Sequence, residues 1–403
     1  MIATEVAVVG AGPAGASAAL TLARQGRQVV LVDRARFPRD KCCGDGLTIG
    51  ALRRLDSMGL RPGDVASWQR VDGAVLRVPD GRQATFPLPA GGTFAATARR
   101  YDLDAALVAM AEGAGARVLQ GCQVTGATAG TGIHLQTDAG PVDAAYVVAA
   151  DGMWSSMRKA FGVADEAGYR GDWHALRQYF TGLGPAGAHM WVWFEADLLP
   201  GYAWSFPLPG GGANVGFGVH RRAGAPMGPM APRWADILRR PHIASVLGPD
   251  AAPEGPARTW PIPARIGRSP MAAAGGRVLF VGDAARATDS LTGEGIAQAL
   301  ETGDLAARAI VAAGPGSPEA AGASYTRTVS RTLATDDRLS RVLSAMLRRP
   351  SSPWMTLAAA NDWTRRNFAR WMFEDYPRAL LATPRRWHHG AWRGPAPYAT
   401  PRN

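Results

Sequence analysis

The residues that announce chemistry in this chain are glycines and acids placed at the ends of apolar runs. Gly10-Ala11-Gly12-Pro13-Ala14-Gly15 follows the run Glu5 to Val9 and leads into an alanine-rich stretch ending near Gln25. That order predicts strand, turn and helix. Gly10 permits the tight turn, Gly12 lets a pyrophosphate approach bare backbone, and Gly15 allows the helix to pack closely on the strand. Pro13 and Ala14 open the helix, whose free amides and positive dipole end face the phosphates. A second apolar run, Gln28 to Val32, ends at Asp33 and Arg34, about twenty residues beyond the glycines, where a carboxylate accepts hydrogen bonds from a ribose diol. Three later segments belong with these: Cys43-Gly44-Asp45-Gly46, Asp151-Gly152, and Gly282-Asp283 followed by Gly293-Glu294-Gly295-Ile296. A dinucleotide cradled near the first strand must be gripped again further along, and FAD is the cofactor this order suggests.

These residues need elements to hold them. A chain of 403 residues exceeds one ordinary core, so two intimately packed domains and a helical tail are expected. The fold class is α/β: a Rossmann-like FAD-binding domain, an antiparallel β-sheet substrate domain and a C-terminal helical region. We assign 1–70, 95–170 and 270–316 to a discontinuous FAD-binding domain, 71–94 and 171–269 to the substrate sheet, and 317–403 to the helical region and a basic tail. Within this division, helices are expected at about 47–58, 102–114 and after Gly295. Strands are expected at 74–78, 83–86, 117–119, 146–150 and 278–281, a small meander at 124–148, and aromatic, alternating segments through 171–266.

Composition narrows the function classes. No run of about eighteen apolar residues occurs, and the start reads as a strand rather than a leader, so neither a membrane span nor a secretory signal is expected. Cys42, Cys43 and Cys122 make no disulfide framework, which suits a reducing cytoplasm. The seven histidines show no metal-ligand spacing, and no metal is expected. The net charge of +11 is almost all arginine, since Lys41 and Lys159 are the only lysines. Residues 364–403 carry eight arginines against two acids, interleaved with Trp371, Trp387 and Trp392. Such a tail suits peripheral contact with the anionic inner face of a membrane, attraction of an acidic substrate, or plain solvation. No nucleic-acid module accompanies the charge, and nucleic acid is not an expected partner.

Lys41-Cys42-Cys43-Gly44-Asp45-Gly46-Leu47-Thr48, the strand Gly201-Tyr202-Ala203-Trp204-Ser205-Phe206-Pro207, and Gly282-Asp283-Ala284-Ala285 with Leu291-Thr292-Gly293-Glu294-Gly295-Ile296 resemble the geranylgeranyl reductase family. That family lies within the flavoprotein superfamily of the aromatic hydroxylases, and the resemblance runs from residue 2 to about 310. It implies that Gly10, Gly12, Gly15 and Asp33 hold the adenosine half, that Arg100 sits near the phosphates or ribityl chain, and that Asp283 binds a ribityl hydroxyl. Gly293, Gly295 and Ile296 would bring amides to the pyrimidine edge of the isoalloxazine. Asp151-Gly152 resembles a motif implicated in FAD and nicotinamide binding, so NAD(P)H is the implied electron donor. Cys43 and Gly44 would lie beside the ring, and Val124 joins the cofactor set. Two departures mark the site: Ser290 stands where a proline usually covers the flavin, and Arg286 where a small residue or histidine is common. Cys43, Gly44, Ser290 and Arg286 are therefore candidates near the flavin, with no catalytic residue assigned. Cys43 is either a redox thiol or a small apolar residue in a tight loop.

Tyr202, Trp204 and Phe206 share one strand face, and Trp191 and Trp193 share a face of a neighbouring segment. Together they are expected to form one aromatic wall, which either lines a tunnel for a polyprenyl, terpenoid or polyketide or packs as core. The leading function is FAD-dependent reduction of a carbon-carbon double bond in such a large apolar substrate, in lipid or secondary-metabolite biosynthesis. A monooxygenase that hydroxylates or epoxidises a secondary metabolite uses the same fold, and an FAD-bound non-redox cyclase is the third alternative. A flavin halogenase is disfavoured, because Trp191-Val192-Trp193 lacks the isoleucine-proline ending of that family's motif.

Overall fold

The first strand, Ile2–Val9, ends in four buried residues, as an apolar run covered on both faces must. In the computed structural model, which describes residues 1–87, 93, 95–163, 168–221 and 228–348, this strand lies inside a sheet. The order is Ala272–Ala273, Val278–Phe280, Val142–Ala149, Ile2–Val9, Val29–Asp33, Arg117–Gln120. From Val278–Phe280 to Arg117–Gln120 every neighbour is parallel. The meander and the apolar strand expected after it are continuous. The first residues of Val142–Ala149 pair with Ile133–Thr137, and its last three pair with Val278–Phe280.

Helix Pro13–Arg24 packs against helix Ile296–Ala313 through small residues. A Cβ on Gly303 would lie 2.1 Å from the carbonyl oxygen of Ala14, so the two backbones touch. Ser17 Oγ donates to Leu300 O at 2.8 Å, and Thr302 Oγ1 accepts from Gly282 N at 2.9 Å. This contact locks the first and last segments of the dinucleotide region together across nearly three hundred residues.

The second sheet runs Ala252–Pro253, Trp173–Thr181, Gly212–His220, Tyr202–Leu208, Met190–Trp193, Gly73–Arg77, Gln83–Pro87, with Arg258–Ile262 also on Trp173–Thr181. It is antiparallel except where Met190–Trp193 lies parallel to Gly73–Arg77, the junction of its two chain segments. A further sheet, Gly46–Thr48, Ala95–Thr97 and Gln69–Val71, was not anticipated. Its strands of three residues are too short to show a period, and it takes Leu47 from the expected helix, which begins at Ile49. Helices Met230–Arg239 and Pro241–Leu247, which were not anticipated, interrupt the stretch in which alternating segments were expected to dominate. Their Trp234, Ile237, Ile243 and Val246 cluster with Trp191, Trp193 and Phe217 of the second sheet.

Helices Pro318–Arg331 and Leu333–Leu347 follow. The tail 364–403 with Trp371, Trp387 and Trp392 lies outside the described residues. Among the described residues no helix is long and apolar enough to cross a membrane.

Candidate functional site

A cavity of about 1440 Å³ is lined by both large sheets and the loops between them. Pockets for one drug-sized molecule span roughly 300–1,000 Å³, so this one has room for a dinucleotide and a second molecule.

Gly10 and Gly15 are glycines because backbone fills the space a side chain would take. Gly10 has φ +100° and its Cβ would lie 2.3 Å from Ala150 O, while a Cβ on Gly15 would lie 1.8 Å from Gly10 O. Gly15 therefore packs helix to strand and does not itself line the cavity. Gly12 differs. Its Cβ would meet only guanidinium nitrogens of Arg39 and Arg100, each 3.8 Å away. Both cations share the buried Asp104, which accepts hydrogen bonds from Arg100 Nε and Nη2 at 2.6 and 2.7 Å and forms an ion pair with Arg39 Nη1 at 2.8 Å. Burial works against the Arg100 charge, but Asp104 outweighs it and the guanidinium pKa is raised. Two cations against one carboxylate, beside the start of the first helix with Pro13 at its opening, form an anion site suited to a diphosphate.

The Asp33 carboxylate is placed by two amides, accepting from Ala11 N at 2.7 Å and Ala35 N at 2.8 Å. A carboxylate has about four acceptor positions, which leaves capacity for a ribose diol. Ala14, Arg34 and Val124 border the cavity too. Asp151 is committed to local structure as well, accepting from Ser155 Oγ at 2.6 Å and Met157 N at 3.0 Å at the start of helix Ser156–Ala160. With Gly152 it still reaches the cavity.

Gly282, Asp283, Gly293, Gly295 and Ile296 line the same cavity. Asp289 shapes this loop by accepting from the amides of Leu291 and Thr292 at 3.0 and 2.7 Å. Gly295 then caps the 18-residue helix Ile296–Ala313, so amides and a positive dipole end meet the cavity. Glu294 is bonded to Thr48 Oγ1.

The segment Lys41 to Gly46 joins the two regions. Lys41 Nζ lies 3.6 Å from the centroid of the Trp260 ring. Burial lowers its pKa to about 8, against the attraction of Asp283. Burial pushes the Cys42 thiol up to about 12 and raises that of Cys43, so both are protonated thiols near neutral pH. Cys42 Sγ turns to Arg258 O, and Cys43 Sγ accepts from Asp45 N at 3.4 Å. Cβ atoms on Gly44 and Gly46 would lie 3.6 Å from Trp204 and 3.1 Å from Phe206. The loop thus lies flat against the aromatic strand.

Tyr202, Trp204 and Phe206 line the cavity, but Trp191 and Trp193 do not. The register pairs Trp191 with Ser205, Val192 with Trp204 and Trp193 with Ala203. Residues directly opposite share a face, so Met190 and Val192 complete the wall. The two tryptophans stack 5.6 Å apart on the far face, in the core with the short helices. The expected single wall is corrected accordingly. Ser290 and Arg286 also fall outside the cavity lining. Ser290 is buried and its carbonyl accepts from Trp173 Nε1 at 3.2 Å. Arg286, at φ +58°, places its guanidinium over the Tyr169 ring at 4.7 Å.

Arg39, Met190, Val192, Tyr179 and Asn214 are site residues that sequence reasoning did not single out, and Asp45 entered it only within the segment Cys43 to Gly46. Arg39 has no contrast in an arginine-rich chain. Asn214 had a signal, a lone amide inside the apolar strand Gly212–His220.

The chain is similar to known proteins over most of its length. Residues 3–317 match the FAD binding domain family. A menaquinone reductase from Mycolicibacterium smegmatis is 35% identical over 338 residues, covering 77% of each chain. A digeranylgeranylglycerophospholipid reductase from Methanothrix thermoacetophila is 31% identical over 316 residues, 76% of this chain and 77% of that one. The crystal structure of a geranylgeranyl bacteriochlorophyll reductase-like protein from Thermoplasma acidophilum superposes with a TM-score of 0.78 at 20% identity, over 94% of this chain and 98% of that one. The chain belongs to the FAD binding domain family and, within it, to the geranylgeranyl reductase family of FAD-dependent oxidoreductases.

Proposed function

We propose that this protein saturates a carbon-carbon double bond in the polyprenyl part of a quinone or lipid, with NAD(P)H as the source of electrons. One observation carries the apolar half of this reading. The polar tips of the aromatic wall are turned into the protein: Trp204 Nε1 donates to Asn214 Oδ1 at 3.0 Å, and the Tyr202 hydroxyl donates to Thr292 O. What remains toward the cavity, with Phe206, Met190 and Val192, is hydrocarbon and ring surface. Such a wall binds an isoprenoid chain and offers little to a hydroxylated or charged one. The names of the relatives, a menaquinone reductase and a digeranylgeranylglycerophospholipid reductase, support the same substrate class.

Bound FAD supplies the two-electron reduction chemistry. Arg39 and Arg100 hold its diphosphate, Asp33 its ribose and Asp283 its ribityl chain. The amides of Gly293, Gly295 and Ile296 stabilise charge at the pyrimidine edge. Residues 1–70, 95–170 and 270–316 carry the cofactor in this assignment, and 71–94 with 171–269 carry the substrate. A lipid-borne substrate resides in a membrane, and the basic segment 364–403, with its three tryptophans, supplies charge and interfacial side chains for contact with an anionic face.

The test is anaerobic. The purified flavoprotein is reduced with NADPH or dithionite, mixed with menaquinone or digeranylgeranylglycerophospholipid in detergent, and followed by flavin reoxidation and product mass. Gain of two hydrogens without oxygen is expected. A product carrying an added oxygen atom, formed only in air, identifies a monooxygenase, and an isomer of unchanged mass formed with oxidised flavin identifies a cyclase.

A further inference from the structure

Saturating a double bond adds two hydrogens, and the reduced flavin, as reductant, accounts for two electrons and one of them. The other arrives as a proton from an acid. Asp45 lines the cavity with its side chain fully buried. It sits at φ +63° between Gly44 and Gly46. Its Oδ2 accepts from Tyr179 Oη at 2.7 Å and from Asn214 Nδ2 at 2.8 Å. The Asn214 amide has one possible orientation, because its Oδ1 accepts from Trp204 Nε1 and its Nδ2 also donates to Cys43 O at 2.7 Å. Asn214 therefore only donates to Asp45. With both acceptor positions of Oδ2 taken, Oδ1 is buried with no hydrogen-bond partner. A proton on the neutral acid belongs on Oδ1.

We propose that Asp45 is the proton donor of the reductase reaction, giving the Oδ1 proton to the substrate carbon that the flavin does not reduce. The proposal rests on the reductase reading above. In the step the Asp45 O–H bond breaks, the π pair of the double bond forms the new C–H bond, and a carboxylate remains. Tyr179, which donates to Asp45, is itself packed with two cations: the guanidinium groups of Arg99 and Arg177 lie 4.5 and 4.1 Å from its ring centroid, and Arg99 pairs with the exposed Glu254 at 2.6 Å. The charged and titratable groups around Asp45 are Arg99, Arg100, Arg177, Tyr179 and Cys43. Burial raises the carboxyl to about 6 despite the Tyr179 and Asn214 hydrogen bonds and the two nearest cations, close to the range useful for an acid at neutral pH.

Asp45→Asn tests this, since asparagine tolerates positive φ and keeps an acceptor for Tyr179 and Asn214. FAD content and dithionite reduction are expected to match the wild type. Single-turnover product formation, with whichever of menaquinone or digeranylgeranylglycerophospholipid the wild type reduces, is expected to fall at least ~100-fold. The wild-type rate should decline as pH rises through about 6, and the variant should lack that limb. In the infrared spectrum of the wild type, a carboxylic-acid carbonyl band should titrate over the same range and be missing from the variant. A variant within a few-fold of wild type, a retained pH limb, or no such band overturns the assignment. A wild type that reduces neither probe instead sinks the reductase reading, and a band that then titrates marks a structural acid alone.

Discussion

Asp104→Asn separates the fold's need for a buried carboxylate from the cofactor's need for two cations. Asp104 is fully buried, receives two charge-assisted hydrogen bonds from Arg100 and forms an ion pair with Arg39. Removing one partner of a buried ion pair typically costs about 3–5 kcal/mol, because the remaining charge is left uncompensated. The flavin-free variant should lose stability of that order. In the loaded protein a diphosphate beside Gly12 offers both guanidinium groups another anion, and one charged hydrogen bond is worth about 1.5–3 kcal/mol. The loaded variant should therefore lose less than the empty one. By linkage the difference appears as tighter flavin binding, about tenfold for each 1.4 kcal/mol. Arg100→Met and Arg39→Met should do the opposite, weakening FAD by about 1.5–3 kcal/mol each. Urea unfolding of the apoproteins and fluorescence titration with FAD measure the two quantities independently. If Asp104→Asn weakens FAD as much as Arg100→Met does, Asp104 orients the arginines rather than competing with the phosphates, and the charge account fails.

Asp45 gives a pH effect on stability that needs no substrate. Its folded pKa is raised from 3.8 to about 6, so the folded state holds the extra proton. Its contribution is intact below the unfolded pKa and is lost as pH rises through the folded one, on the order of 3 kcal/mol. Denaturant unfolding across that window should show the decline in wild type and a shallower one in Asp45→Asn. Trp193→Ala should cost about 3–5 kcal/mol of stability and leave substrate selectivity unchanged, because Trp193 lies in the core away from the cavity. Trp204→Phe should change KM for a polyprenyl substrate at a smaller stability cost, and equal effects of the two on KM would contradict the register. Gly15→Ala places a Cβ 1.8 Å from the Gly10 carbonyl oxygen and should yield protein without bound flavin, judged by absorbance; a yellow, fully loaded variant would show that the turn shifts freely.

The cofactor half was legible because its information is local. Strand, Gly10 to Gly15, helix and Asp33 fall within one short unit, and Gly10 and Gly15 have a steric reason that spacing alone conveys. The aromatic wall depends on pairing. Alternation puts Trp191 and Trp193 on one face and Tyr202, Trp204 and Phe206 on one face, but the turn between the strands decides whether those faces coincide. The observed register sets Val192 opposite Trp204, and a slip of one residue would have made the expected wall. Arg39 and Asp104 lie in different segments, and one arginine among many carries no mark of its partner. The Asp45, Tyr179 and Asn214 set is assembled by two strands and a loop. Its hint was the cost of an amide inside an apolar strand, which asks for a buried partner.

The loop from Cys43 to Gly46 explains why these distant residues belong to one site. It carries no side chain at Gly44 and Gly46, so it is as thin as a polypeptide can be where it lies on Trp204 and Phe206. A thin loop brings whatever is bound at the glycine cradle close to whatever lies on the aromatic wall. The acid at its centre is anchored from the second sheet by Tyr179 and Asn214. The same Asn214 fixes the Trp204 indole and holds the Cys43 carbonyl. Wall, loop and buried acid are therefore set by one amide. Asn214 thus gives the buried acid and the apolar wall one shared polar anchor, the only kind of reference an apolar face without polar groups of its own can offer to the loop beside it.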